Sequence, residues 1–196
     1  LKWAQSSDGF IDVNRSSYRG CGPVCITGSA EKILVHRWSA SEQAVLVGAA
    51  TVRTDDPLLN VREWYGNNPV RLILSGSGSL PEKPAMSSVI GSQVIFTFYP
   101  EKVNQPGSVV VKLNNREASA SQVVEYLFQW GIQSLFIEGG AKVLNHFILN
   151  GLWDEARIFY GRQKFTEGVR APESGGKLFR EQEFAGSTLR IFLNSL

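Results

Sequence analysis

The sequence predicts an α/β fold: a three-layer α/β/α sandwich around a mixed, mainly parallel central sheet. Two observations carry this. Short, continuously apolar runs such as 44–47 and 93–98 have the character of strands buried on both faces. They alternate along the chain with helix-like segments, the order that builds parallel sheets.

Taken in order, the pattern Leu1-Lys2-Trp3-Ala4-Gln5 alternates from the first residue and predicts an opening strand. A chain that starts with Leu inside a strand is expected to be processed, trimmed or cut from something longer. A helix is predicted over 29–39, with Ile33, Leu34 and Trp38 as its buried face. Ala44-Val45-Leu46-Val47, ended by Gly48, predicts a buried strand, and 48–56 a loop that ends at Pro57. Runs 70–74, 93–98 and 109–113 predict further strands buried on both faces, with Ser75 to Ser79 as a turn between strand and loop. Ser119 to Trp130 predicts a helix: Ser119 and Gln122 have capping-box spacing, Val123, Val124, Leu127 and Phe128 form an apolar stripe, and Gly131 suits the C-terminal turn. Runs 134–137, 155–160 and 188–193 complete the strands, and 141–149 is the last helix.

With 196 residues and no internal repeat, the chain is expected to form one domain, with one sizeable core or a core with an embellishment. A net charge of +2 and scattered basic residues give no footprint for nucleic acid or a membrane surface. No apolar run spans a bilayer and no signal peptide opens the chain, so a reduced cytoplasmic setting is expected. Cys21 and Cys25 are too few for a disulfide scaffold and are expected to be structural. His36 and His146, the only histidines, are expected to be half-exposed helix residues; with these two cysteines they are too isolated for a zinc site, so no metal is expected. There is no G-x-G-x-x-G, Walker loop or G-x-S-x-G.

The most informative segment is Glu138-Gly139-Gly140, where the apolar run 134–137 gives way to the helix over 141–149. Two glycines permit close backbone approach to a ligand, and the following helix N-terminus favours an anion. The carboxylate at the strand end faces the crevice where open α/β sheets bind ligands. The competing reading is an ordinary βα turn that uses glycine for tight packing. Other polar groups gather at strand ends: Lys2, Asp8-Gly9, Thr27-Gly28, the segment from Gly48 to Asp56, and Arg62. Singly, each has a plain reading as cap, turn or solvated charge.

As an ordered set they carry a resemblance. Leu1-Lys2-Trp3-Ala4-Gln5-Ser6-Ser7-Asp8-Gly9, Cys25-Ile26-Thr27-Gly28, the block from Val45 to Arg62 with its G-x-x-T-V-x-x-D-D-P core, Pro69 to Leu74, Ile137 to Gly140, and Gly151-Leu152-Trp153-Asp154-Glu155 follow one another as in a known family. The chain resembles the reductase domain of riboflavin biosynthesis, the C-terminal domain of the bifunctional deaminase-reductase, with a dihydrofolate-reductase-like fold. The resemblance runs from residue 1 to about residue 160.

The resemblance implies NADPH as cofactor and 5-amino-6-(5-phosphoribosylamino)uracil as substrate, whose ribose is opened and reduced at C1′. It implies that Lys2, Thr27, Asp55 and Glu138 border the substrate, with Lys2 polarising the opening sugar and Glu138 orienting the base or moving a proton. Arg62 would hold the substrate phosphate, and Leu58 and Leu59 would supply loop contacts. Gly48, Thr51, Gly139, Gly140 and Ala141 would line the NADPH site, with Ser75 beside it. A homodimer is implied; neither motif of the zinc deaminase domain that precedes this one in many relatives is present, so the chain is expected to be either the reductase half of a bifunctional protein, with that domain outside this chain, or a stand-alone reductase.

The chain also departs from the family pattern. Ser39 stands where relatives carry Arg, Cys25 replaces an aromatic residue, the segment after Tyr160 lacks Ala-Pro, and Ser75 stands where an acidic residue is common. Loss of the Arg at Ser39 would cost phosphate affinity unless Arg37, Arg53 or another cation compensates. Two further readings stay open: a pteridine- or dihydrofolate-type reductase, and a non-catalytic NADP-binding module of the same fold.

Overall fold

Alternate side chains of the apolar strands enter two separate cores in a computed structural model, which describes residues 1–20, 22–184 and 186–195. In chain order the elements are β1 (Lys2–Gln5), β2 (Phe10–Val13), α1 (Ser29–Ser41), β3 (Ala44–Gly48), α2 (Ala49–Asp55), β4 (Val70–Ser75), β5 (Gln93–Thr97), β6 (Val109–Lys112), α3 (Ser119–Gln129), β7 (Leu135–Gly139), α4 (Ala141–Leu149), β8 (Glu155–Tyr160), β9 (Gly168–Arg170), β10 (Lys177–Phe184) and β11 (Ser187–Leu193). A parallel sheet runs β6-β5-β4-β3-β7. Its residues Ala44, Leu46, Leu72, Val94 and Phe96 face a core that Ala120, Val123 and Leu127 of α3 and Val143, Leu144 and Phe147 of α4 complete. The intervening Val45, Val47, Ile73 and Ile95 face a second core with Ala49 and Val52 of α2, against which Val35 and Trp38 of α1 pack. Helices therefore cover both faces, and the three layers follow from period-two alternation in strands without a solvent side.

The remaining strands form a sheet in the order β1-β8-β11-β10, parallel between β1 and β8 and antiparallel elsewhere, while β2 pairs with β9. Strand β1 lies against β7, but no ladder joins them among the described residues. The α/β fold with a mainly parallel sheet is as predicted; its strands are divided between a five-stranded and a four-stranded hydrogen-bonded sheet lying side by side, with β2–β9 as a separate pair.

Other expectations need correction. Segment 48–56 is not a loop: residues 49–55 form α2, which ends in a left-handed Asp56 whose N–H bonds the carbonyl of Val52. Strand β6 is the sheet edge, so Val109 and Val110 are exposed instead of buried on both faces. Connections β4–β5 and β5–β6 carry only short 3-10 turns, Ala85–Ser88 and Pro100–Lys102, in segments where Pro81, Pro84 and Pro100 oppose α-helix. The first is tied down by buried Arg71, which donates to the carbonyls of Val89 at 2.9 Å and Gly91 at 2.9 Å, and whose pKa falls because of burial.

Helix α1 buries Glu31, His36 and Ser39 and leaves Ile33 exposed, so His36 is not half-exposed. Glu31 accepts hydrogen bonds from the Gly28 N–H at 3.1 Å and the Ser187 hydroxyl at 2.8 Å, a partnership made by β11 that apolar periodicity does not report. In α3 the N-cap is Ala118, one residue before Ser119, and Gln122 Oε1 accepts from the Asn114 N–H at 2.9 Å, so no capping box forms. The His146 Nε2 accepts the Ala120 N–H at 3.1 Å instead. Val124 and Phe128 are exposed, so only Val123 and Leu127 of the expected stripe are core. Cys21 lies outside the described residues, and Cys25 is a free, exposed thiol.

Two contacts outside the core generate tests. Asp8 accepts from the Ser6 hydroxyl at 2.6 Å and from the N–H groups of Thr166 at 2.8 Å and Phe165 at 3.1 Å, joining the β1–β2 turn to the segment before β9. These bonds, the Ser6 hydroxyl foremost, lower its pKa to about 2. A carboxyl whose folded pKa lies below the unfolded value of about 3.9 stabilises the fold above that value and loses its contribution as pH falls towards the folded one. Urea unfolding of Asp8→Asn is expected to show a stability deficit at pH 7 that shrinks between about pH 4 and pH 2. At Gly48 an added Cβ would meet Val143 Cγ2 at 2.8 Å, so in Gly48→Ala the Val143 side chain or α4 must shift. Its thermal unfolding is expected to report a loss of about 1–3 kcal/mol, whereas relief by Val143→Ala in the same chain would return most of it.

Candidate active site

The carboxyl end of β7 carries an irregularity that re-aims a side chain. Leu46 of β3 pairs with Ile137, but the next residue, Val47, pairs with Gly139, so Glu138 is an extra residue in the ladder. Such a bulge bends a strand and turns its unpaired residue away from the regular alternation. Gly139 and Gly140 follow with φ +139 and +30, conformations that L side chains rarely adopt. An added Cβ at Gly140 would lie 3.0 Å from Thr51 Oγ1, and one at Gly139 would meet nothing within 4 Å. The turn thus presents open backbone on one side and touches α2 on the other, with the N-terminus of α4 directly behind it.

Here a cavity of about 510 Å3 opens between β1, the start of α1, α2 and the β7–α4 turn. Its wall includes Lys2, Thr27, Asp55 and Glu138 together with Gly48, Thr51, Gly140 and Ala141. Distant sequence segments, from residue 2 to residue 141, therefore meet in one space. Gly139 is the strand end beside it. Leu58, Leu59, Arg62 and Ser75 do not line it. Leu59 is buried in the α2-side core with φ +49. Arg62 is exposed and donates to Asn60 Oδ1 at 2.9 Å. Ser75 closes β4 two strands away, fully buried, with its hydroxyl lacking any hydrogen-bond partner. A larger groove of about 700 Å3 lies over α3 and the stretch before β8, and its wall contains none of these residues.

The cavity also gathers charged residues that sequence reading missed: Asp12, Arg15, Lys32 and Lys142. Arg15 donates through Nε to Asp12 Oδ2 at 2.8 Å, through Nη2 to Asp55 Oδ1 at 3.3 Å and through Nη1 to the Gly22 carbonyl at 2.7 Å. Burial lifts the Asp55 carboxyl above its ordinary range, partly offset by the Thr54 hydroxyl and the Arg15 charge. Lys32 pairs with Glu63 at 3.1 Å. The only sequence signal available was for Lys142, two residues after Gly140 of the Gly-Gly turn; Asp12, Arg15 and Lys32 carry none, because the fold alone brings them here. Lys2 and Glu138 share the wall without forming an ion pair among the described residues. Ser39, which stands where an Arg was expected, is buried; its hydroxyl lies 3.1 Å from the Val35 carbonyl and 3.4 Å from Glu138 Oε1, so its one proton is shared between a helical back-bond and the carboxylate. With four cations (Lys2, Arg15, Lys32, Lys142) against three carboxylates (Asp12, Asp55, Glu138), the cavity suits an anionic ligand that also needs hydrogen-bond acceptors. Among the described residues no His, Cys, Asp and Glu cluster could hold a metal, and no helix is long and apolar enough to cross a membrane.

Known proteins show which family the chain resembles in sequence and overall fold. The chain is 29% identical over 175 residues to the 2,5-diamino-6-ribosylamino-4(3H)-pyrimidinone 5′-phosphate reductase of Archaeoglobus fulgidus, a match covering 81% of this chain and 77% of that protein. The Aquifex aeolicus protein of the same name is 29% identical over 133 residues, covering 64% of this chain and 59% of its own. The chain spans about half the length of the first curated relatives it matches, several of them riboflavin biosynthesis proteins RibD. The crystal structure of a Thermotoga maritima diaminohydroxyphosphoribosylaminopyrimidine deaminase/5-amino-6-(5-phosphoribosylamino)uracil reductase superimposes with a TM-score of 0.83 at 25% identity, over 99% of this chain and 55% of that one. The family profile described as RibD C-terminal domain matches residues 1–162, and this chain belongs to that family.

Proposed function

We propose that this domain is an NADPH-dependent reductase that converts 5-amino-6-(5-phosphoribosylamino)uracil to its 5-phosphoribitylamino product. The observation that carries the reading is the bulge at Glu138, which takes this carboxylate out of the strand's alternation at a cavity that Lys2 and Gly140 also line. The names of the Archaeoglobus and Aquifex relatives support the reaction class.

The residues present fit a dinucleotide diphosphate. Gly139 leaves open space where a side chain would stand, and the N–H groups of Ala141 and Lys142 at the start of α4 make no hydrogen bond among the described residues. Gly48, Thr51, Gly139, Gly140 and Ala141 would hold that group. Bound there, NADPH supplies a hydride.

The chain's own residues handle protons and position. Opening the ribosylamine breaks the bond between C1′ and the ring oxygen, which takes up a proton as the exocyclic nitrogen gives one up. C1′ then gains a hydride and the nitrogen a proton, giving the ribitylamine. Lys2 donates to the sugar oxygen as the ring opens, and Glu138 holds the amino group or moves its proton. Thr27 and Asp55 border the pyrimidine. Arg62 lies outside the cavity, so Lys32, which is inside it and paired only at the rim with Glu63, is placed to assist at the phosphate.

The reading is tested by supplying the deaminated and diamino ribosylaminopyrimidine phosphates with NADPH and following its near-ultraviolet absorbance. Steady consumption with the deaminated substrate supports it, and no consumption with either overturns it. Lys2→Met is expected to lower kcat by about 10²–10⁴-fold while NADPH affinity, read by fluorescence titration, stays the same. Unchanged turnover at saturating substrate would remove Lys2 from the proton step.

A further inference from the structure

Among the described cations of the cavity wall, Arg15 alone is bonded on three sides. Its Nε donates to Asp12 Oδ2 at 2.8 Å, its Nη1 to the Gly22 carbonyl at 2.7 Å and its Nη2 to Asp55 Oδ1 at 3.3 Å. The guanidinium is planar, so fixing Nε and Nη1 also fixes where Nη2 points. The side chains of Arg15 and Asp12 are 27% and 23% exposed, so solvent screens their pairing less than it would a surface pair. The turn that carries Arg15 has bonds of its own. The Tyr18 N–H donates to the Asn14 carbonyl at 2.9 Å, and the Ser17 hydroxyl to Glu167 Oε1 at 2.6 Å.

Asp55 stands where a carboxylate needs a cation. It is the last residue of α2, at the negative end of the helix dipole. It is half-buried in the cavity wall, and Asp12 of β2 adds a second negative charge. Each of these favours the uncharged acid, burial most, and the Arg15 charge works against them. Lys2, Lys32, Lys142 and Glu138 line the same cavity, but among the described residues only Arg15 forms an ion pair with Asp55. The difference matters chemically. An ionised carboxylate only accepts hydrogen bonds, whereas the acid also donates one, and a pyrimidinone ring offers N–H donors.

We infer that Arg15 is a positioning residue of this site: braced by Asp12 and the Gly22 carbonyl, it fixes Asp55 Oδ1 so that the carboxylate meets the pyrimidine as a charged acceptor. The inference rests on the reading that Asp55 borders the pyrimidine, and deepens it. Arg15 works through Asp55, so its role bears on substrate binding more than on the chemical step.

Steady-state kinetics with 5-amino-6-(5-phosphoribosylamino)uracil and NADPH across a pH series test this. The proteins are wild type, Arg15→Gln, Arg15→Lys, Asp55→Asn and the Arg15→Gln/Asp55→Asn double variant, each verified as folded by circular dichroism. Arg15→Gln is expected to raise KM about tenfold or more at pH 7 and to change kcat by less than about threefold. That rise is expected to grow as pH falls, because without the cation Asp55 takes up its proton at higher pH. Arg15→Lys, which keeps the charge and loses the fork, is expected to lie between the two. The double variant is expected to be no worse than Asp55→Asn alone, since both changes act through one carboxylate. A double-variant loss equal to the product of the two single losses overturns the inference, as does a KM rise in Arg15→Gln that is the same at every pH. Either would leave Arg15 as a tie to the Gly22 turn only. The Asp55 carboxyl titration, followed by carbon-13 NMR with labelled aspartate and assigned by Asp55→Asn, needs no turnover. It is expected to move to higher pH in Arg15→Gln, and an unmoved titration overturns the inference. If wild type reduces neither ribosylaminopyrimidine phosphate, the proposed reaction fails, while a moved titration leaves the hold of Arg15 on Asp55 standing.

Discussion

Close backbone approach at the carboxyl end of β3 is the constraint on which the rest of the structure depends. Gly48 lets Val143 bring α4 down on the sheet, and Gly140 brings the β7–α4 turn against Thr51 of α2. A side chain at either glycine would separate the layers just where the cavity opens. Because β3 lies between β4 and β7, that displacement would reach the turn and the Ser75 loop together. Packed interiors do not absorb such insertions by small continuous adjustment, so the glycines act as fixed distances between layers.

The bulge at Glu138 converts this packing into chemistry. In a regular strand Glu138 would follow Ile137 onto the α2-side core, where a carboxylate would be costly to bury. The skipped register removes it from that alternation and gives it to the cavity, where the Ser39 hydroxyl meets it. On the opposite wall Arg15 holds Asp12 and Asp55 together, an arrangement that neutralises part of two partly buried acids while leaving the Asp55 pKa raised by burial. The cavity is thus polar without being uniformly charged. That balance favours a ligand with both an anionic group and a hydrogen-bonding heterocycle over a simple anion.

Much of this was legible residue by residue. Lys2, Thr27, Gly48, Thr51, Asp55 and Glu138 stand at or near strand or helix ends, and the structure brings all of them to the lining of one cavity. The apolar runs gave the strands because burial on both faces leaves a composition signal that needs no partner. Edges and polar faces were not legible. Nothing in Val109-Val110-Val111 says that no strand lies beyond it, and nothing in α1 says that Glu31 will find Ser187 some 150 residues later, a contact of 2.8 Å. The cap of α3 likewise comes from His146 on another helix and not from its own capping box.

By itself, then, the sequence determined the layer order, the parallel sheet, the Gly-Gly turn and the residues that carry a family pattern, because each depends on local periodicity or backbone freedom. Only the tertiary structure decided that the sheet divides between β1 and β7, that Glu138 leaves the strand's alternation, and that Asp12, Arg15 and Lys32 join the cavity while Arg62 does not. The physical reason is common to all of these. Charged side chains are placed by partners far away in the chain, and the energy of such a pairing exists only after the fold has paid the entropy of bringing them together.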